Sequence, residues 1–267
     1  MALNNLPHKL ALTGLSLCVT LSPLALAQSV EDKGRSIMEE YERRDTGWQD
    51  MQAEMQMILR NAQGQESIRE IRMKSLEQEN DGDKSLTIFD EPRDVKGTAF
   101  LSFSHINKPD DQWLYLPALG RVKRISSRNK SGPFMGSEFS YEDMGSFEID
   151  KYTYKYLTEE ACGKLTCYVV ESYPVEKTSG YTRRISWVDT TEYRMQKLDF
   201  YDRKNERLKT LNFTGYQQYV GQYWRADKME MQNHQNGKST VLAWKDYRFK
   251  QGLDERDFNK NALKRAR

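Results

Sequence analysis

Few residues of this chain are of the types that do covalent or proton-transfer chemistry, and those present are not spaced for it. The stretch "NGKST" (residues 236–240) imitates the end of a phosphate-binding loop, but the first glycine of that motif falls at Gln232, so the loop is rejected. No Gly-x-Ser-x-Gly nucleophile elbow occurs. His105 and His234 stand on separate predicted strands without metal-ligand spacing, and both read as surface or turn residues. The acidic pairs Glu142–Asp143 and Glu159–Glu160 read as solvated turns, since acid/base work depends on a spatial separation that sequence does not encode. The expectation is therefore no catalytic residue, no metal site, no cofactor and no enzyme.

Two constellations remain. Cys162 and Cys167 in "ACGKLTCYVV" flank a Gly-containing turn and lead into a strand-like run, which predicts a disulfide stapling a hairpin. A CxxC-type redox or metal pair fits less well, because four residues intervene and no His lies nearby. The second constellation is the basic run Arg121, Lys123, Arg124, Arg128 and Lys130, which follows the aromatic stretch "QWLYLP". Strand alternation sets Arg121 and Lys123 on one face and Val122 and Arg124 on the other. Such a cluster suits acidic lipid headgroups or an acidic partner, and a solvated turn is the plainer alternative.

The elements that must position these residues are nearly all strands. Residues 29–44 carry helical periodicity, with Val30, Ile37 and Tyr41 near one face and Ser29 with Asp32 as a capping pair. Alternation then predicts strands at 51–60, 67–76, 84–89, 98–105, 112–117, 122–126, 151–157, 167–174, 183–189, 195–202, 207–220, 223–233 and 239–249. Gln52, Glu54, Gln56 and Arg69 mark a wet outer face, which leaves an apolar inner face to be covered. The helices at hand for that are few: the first, residues 91–97, a turn at "YEDMG" and the tail "ERDFNKNALKR". The fold class is thus mainly β (α+β): an unclosed, strongly curved antiparallel half-barrel with a few helices covering its concave face.

Residues 1–27 read as a signal peptide. Lys9 supplies the positive end, "LALTGLSLCVTLSPLALA" the apolar core, and Ala25-Leu26-Ala27 a cleavage site before Gln28. The apolar run is short for a spanning helix and is broken by Thr20, Ser22 and Pro23, while Leu17 disfavours lipidation at Cys18. Residues 28–267 carry no linker or repeat and read as one exported, periplasmic domain. Lys and Arg (41) nearly balance Asp and Glu (39), so no global field points to nucleic acid.

The segments "WLYLPALGRVKRIS", "FMGSEFSYEDM", Trp187-Val188-Asp189, "KLDFYD", "MEMQNHQNGKSTVL" and "DERDFNKNALKR" together resemble the outer-membrane lipoprotein-sorting protein-like family. That family is a LolA-like branch of the LolA/LolB-like superfamily, often encoded beside RND/MMPL-type exporters. The resemblance spans essentially the whole mature chain. It implies a half-barrel whose apolar hollow carries lipid or lipoprotein acyl chains toward the outer membrane, with transient membrane contact and an inner-membrane exporter as partner. The alternative is a periplasmic sensor or regulatory module that captures a partner protein.

A carrier of this kind answers a physical need. Burial contributes roughly 0.8 kcal/mol per methylene, so a sixteen-carbon chain left in water costs on the order of 12 kcal/mol. The expected cavity residues are Trp113, Leu114, Tyr115, Leu116, Phe134 and Met135, on a strand and on a mobile flap bending at Gly132, Gly136 and Gly145 beside the barrel mouth. Arg121, Lys123, Arg124 and Arg128 are expected to meet headgroups or the exporter. Met51, Met55, Met57, Met73, Met229 and Met231 suit a soft lining, with plain core packing as the alternative for each.

Overall fold

A computed structural model of the chain describes residues 1–2 and 28–265; the expected cleavage site and nearly all of the leader lie outside the described residues. The first element is a helix, Val30–Arg44 (α1), capped where Ser29 Oγ accepts the Asp32 amide at 3.0 Å. Glu31 and Asp32 sit in its first turn and Arg43 and Arg44 in its last, so its charges complement the helix dipole. Its inner face is Gly34, Ile37 and Met38, whereas Val30 is exposed. Gly34 is required there, because a Cβ would come within 2.6 Å of the Tyr156 backbone nitrogen.

Thirteen antiparallel strands follow. The first six are Asp50–Arg60 (β1), Glu66–Leu76 (β2), Lys84–Glu91 (β3), Ala99–Phe103 (β4), Asp111–Leu116 (β5) and Arg121–Ile125 (β6). The next seven are Tyr152–Cys162 (β7), Leu165–Pro174 (β8), Arg183–Asp189 (β9), Met195–Tyr201 (β10), Arg207–Tyr219 (β11), Tyr223–Asn233 (β12) and Ser239–Phe249 (β13). All belong to one unclosed sheet in the order β6-β5-β4-β3-β2-β1-β13-β12-β11-β10-β9-β8-β7. Thus β1 to β6 step outward to one edge, the chain crosses to the opposite edge, and β7 to β13 step back until β13 pairs with β1. Residues 126–151 make that crossing over the concave face, mostly as short 3-10 turns.

Facing residues of paired strands share a side of the sheet. Gln52, Glu54 and Gln56 therefore fall on the convex side with Arg72 and Glu70. Arg69 does not: it lies opposite Met57, points inward, and its guanidinium donates to the Met135 carbonyl, with burial lowering its pKa. The convex side of β3 to β5 is apolar, and Leu253, Phe258 and Leu263 of the C-terminal segment cover Leu86, Ile88, Leu101 and Trp113 there. The tail, including the short helix Lys260–Arg265 (α2), thus covers the outside of the sheet and not its hollow. Residues 92–97 are turns, not a helix.

Within the hollow two apolar clusters form. Phe134 and Phe139 of the crossing segment pack with Met55, Met57, Phe89, Phe100, Leu114, Phe200 and Met231. Ile37 and Met38 of α1 pack with Tyr154, Val170, Val188 and Met195 on the other arm of the sheet. At the β7–β8 turn Cys162 and Cys167 form the expected disulfide, with their Cα atoms 5.8 Å apart.

Candidate ligand cavity

The crossing segment divides the concave face into a plugged end and an open end. The plugged end lies where β1 meets β2 and β13 at Arg60, Glu66 and Ser239. Residues 132–143 fill it and are bonded in at several points. Ser140 and Asp143 form a capping box, and the buried Lys209 ammonium donates to Asp143 Oδ2 at 2.7 Å and to the Glu138 carbonyl at 2.8 Å. The Tyr181 hydroxyl donates to Asp143 Oδ1 at 2.8 Å. Burial alone would raise the Asp143 carboxyl, but the Lys209 ammonium, the Ser140 amide and the Tyr181 hydroxyl together outweigh this and hold it below the usual carboxylate range. Glu142 accepts the Ser179 hydroxyl and the Gly180 amide, and Glu138 accepts Asn233 Nδ2 at 2.6 Å. "SEFSYED" is therefore a lock. The Glu142 and Asp143 carboxylates are buried bonding groups, not the solvated turn that sequence suggests.

The expected cavity residues belong to that sealed region or to the outer face. Leu114 packs on Phe100 and Phe134, and Leu116 beside them. Phe134 is fully buried, and Met135 sits in left-handed backbone at φ 49° where the plug turns. Trp113 and Tyr115 face the convex side under the tail, where Lys260 Nζ lies 4.6 Å from the Trp113 ring. None of the six lines the cavity described below, because the strand and plug that carry them are used to close the hollow.

The basic residues are also elsewhere. Arg121, Lys123, Arg124 and Arg128 are exposed along edge strand β6 and the turns beside it, with Arg124 paired to Asp111. The β5–β6 turn, residues 117–120, lies at the plugged end of the sheet, not beside the mouth. Lys130 is turned inward to Glu176. His105 is buried between Asp81, at 2.5 Å, and Asp111, at 3.3 Å, and so is not a surface residue; His234 is exposed at the β12–β13 turn. Among the described residues no group of three or more His, Cys, Asp or Glu is arranged to hold a metal ion.

The open end holds a cavity of about 540 Å³. It lies at the opposite ends of the strands, between the C-terminal turn of α1, residues 144–148 of the crossing segment, and strands β1 to β3 and β10 to β13. Met51, Met73, Met144, Met195 and Met229 line it with Trp48, Trp224, Trp244, Tyr41, Phe147 and Phe213. Of the six methionines singled out in the sequence, Met51, Met73 and Met229 reach this lining, while Met55, Met57 and Met231 are core. Thioethers and large rings give a polarizable wall that adapts to a flexible ligand. A volume between roughly 300 and 1,000 Å³ with such a lining is typical of small-molecule sites.

The rim is acidic. Glu77, Glu79, Asp81 and Asp83 come from the β2–β3 loop, Glu42 and Asp45 from the end of α1, and Glu148 from the crossing segment. Glu77 accepts the Gly47 and Gln49 amides at 2.6 and 2.7 Å, which fixes the loop after α1 to the loop after β2. Burial pushes the Glu42 carboxyl up to about 7, with Glu148 and Asp150 adding to it. Burial likewise pushes Asp83 up to about 7, helped by Glu148, Glu77 and Asp45, and it raises Glu148. Sequence reasoning passed over this rim. Its one signal was the acidic run "EQENDGD" (77–83) between two strands, which reads equally well as an ordinary solvated loop.

Fold and cavity together define a LolA-like half-barrel, and comparison with known proteins agrees. A domain from Vibrio parahaemolyticus named for outer membrane lipoprotein sorting is 59% identical over 88% of this chain and 99% of its own, with a TM-score of 0.86. A DUF1329 family protein from Desulfovibrio piger is 31% identical over 88% of this chain and 99% of its own, TM-score 0.84. A LolA superfamily protein from Nitrosomonas europaea shares the fold at 20% identity, TM-score 0.69, over 86% and 98% of the two chains. A family model described as an uncharacterized protein matches residues 81–265, and no curated protein matches. The chain belongs to the DUF1329 family.

Proposed function

We propose that this chain is a periplasmic carrier that takes a lipid or a lipoprotein's acyl chain into the cavity at the open end of the half-barrel and shuttles it toward the outer membrane. The observation that carries this reading is the methionine- and aromatic-lined cavity of about 540 Å³ inside a LolA-like sheet. An acyl chain entering it exchanges water for thioether and ring surface, a gain of roughly 0.8 kcal/mol per methylene buried. The adaptable lining lets the chain leave again. Residues 1–27 act in this scheme as the export signal and 28–267 as one binding domain.

The likeness to the Vibrio domain named for lipoprotein sorting supports the cargo class. The exposed cations of β6 and the turn after it stand on the sheet's edge strand, outside the cavity lining, so they are assigned to the contact with an inner-membrane RND/MMPL-type exporter and not to the cargo. Native mass spectrometry, with organic extraction, of the chain purified from the periplasm without detergent tests the proposal. A stoichiometric lipid is the expected result. An empty protein that also refuses added lipids would sink it and favour a module that captures a partner protein.

A further inference from the structure

The cavity's charge is lopsided in a way that bears on which amphiphile it takes. Eight carboxylate side chains line it against four cationic ones. Of the four, Arg225 pairs with Asp45 and Arg44 lies 3.8 Å from Glu192, while Arg194 is drawn to Asp189 and Lys84 to Glu255, neither of which is in the lining. The remaining acids have no cation in the lining to answer them. Some are held by other means: Glu77 by two backbone amides and Asp81 by His105.

Two are not. Glu148 is only 7% exposed, yet it makes no ion pair among the described residues; one oxygen accepts the Ser146 hydroxyl at 2.5 Å and the other has no hydrogen-bond partner there. Glu42 receives neither a side-chain hydrogen bond nor an ion pair among the described residues, and it lines the same cavity as Glu148, whose charge adds to the burial that raises the Glu42 carboxyl. Half-buried carboxylates beside an apolar wall are costly to leave without a counter-charge, and a bound cation would offset that cost. An anionic headgroup brought to this rim would add to the repulsion.

We propose that the cavity selects amphiphiles whose polar end is a protonated amine, with the ammonium seated between Glu42 and Glu148 and the alkyl chain against the methionine and aromatic wall. The proposal rests on the carrier reading of the same cavity and deepens it. A metal ion is a poorer fit, since the acids do not converge as a ligand set among the described residues. A polyamine without a chain would meet the rim and leave the apolar wall unfilled.

The test is a titration of the full chain with dodecylamine and, separately, with dodecanoate, both below their micelle concentrations at pH 7.5. Fluorescence of Trp48, Trp224 and Trp244, which line the cavity, reports binding. The amine is expected to bind at least about tenfold tighter, and the difference should narrow between low and high salt. In Glu42→Gln with Glu148→Gln the two affinities should converge through loss of amine binding, with dodecanoate unchanged or tighter. Equal affinities in the parent, or a preference for dodecanoate, overturn the amine proposal and leave the carrier reading standing. Binding of neither probe overturns both. If the double variant does not fold, the parent's headgroup preference and its salt dependence decide the matter.

Discussion

The two ends of the concave face are built from the same strands, yet they have opposite characters. At the plugged end the polar groups answer one another: Asp143 meets Lys209, Tyr181 and the Ser140 amide, and the apolar groups interlock around Phe134. At the open end five methionines and three tryptophans face a cavity, and several carboxylates stand without cations. A satisfied polar network in low dielectric rigidifies, whereas an unanswered one stores free energy that a ligand can release. The comparison teaches that a half-barrel can hold its hollow open at one end because a bonded plug fixes the curvature at the other.

The sharpest way to break this contrast is at the lock. Asp143→Ala leaves the Lys209 ammonium buried without its partner and should destabilise the fold by about 3–5 kcal/mol in urea unfolding. A loss under about 1 kcal/mol would mean that the plug is not a structural device. Next in size is filling the open end: Met229→Trp should weaken dodecylamine binding at least about tenfold while changing stability by less than about 1.5 kcal/mol, because the added volume enters free space. Unchanged affinity would place the ligand outside this cavity.

The smallest effect is a pH dependence that only the open end should show. Glu42 and Asp83 are raised from ordinary carboxylate values to about 7, so between those values the folded chain holds more protons than the unfolded one. Their contribution to stability is therefore full below the unfolded values of 3.8 and 4.5 and is lost as pH rises from there through about 7. Asp143 is shifted the other way and titrates below this window. Thermal midpoints should fall between pH 5 and pH 8, and Glu42→Gln with Asp83→Asn should flatten that fall; an identical slope in the variant would show that other groups set it.

Much of this architecture was legible because strand alternation has a period of two and needs no neighbours to be read. All thirteen strands and α1 stand where the pattern puts them, and Trp113 with Tyr115 indeed take the opposite face from Leu114 with Leu116. Arg69 shows the limit: its own strand alternates, but only its pairing with Met57 reveals which side is inside. The cavity was illegible for a stronger reason. Its wall draws on α1, seven strands and the crossing segment, and its rim joins residues such as Glu42 and Glu148 that are far apart in the chain.

The amino-acid order alone thus determined the strand-rich half-barrel and the hairpin disulfide, since each depends on local spacing and residue type. Which half of the hollow is sealed was decided by tertiary structure. A crossing segment between two distant sheet edges must lie over the concave face, and the side it fills is fixed by where Lys209, Tyr181 and Thr240 wait to bond it. The free volume, and the unanswered carboxylates around it, are what that placement leaves behind.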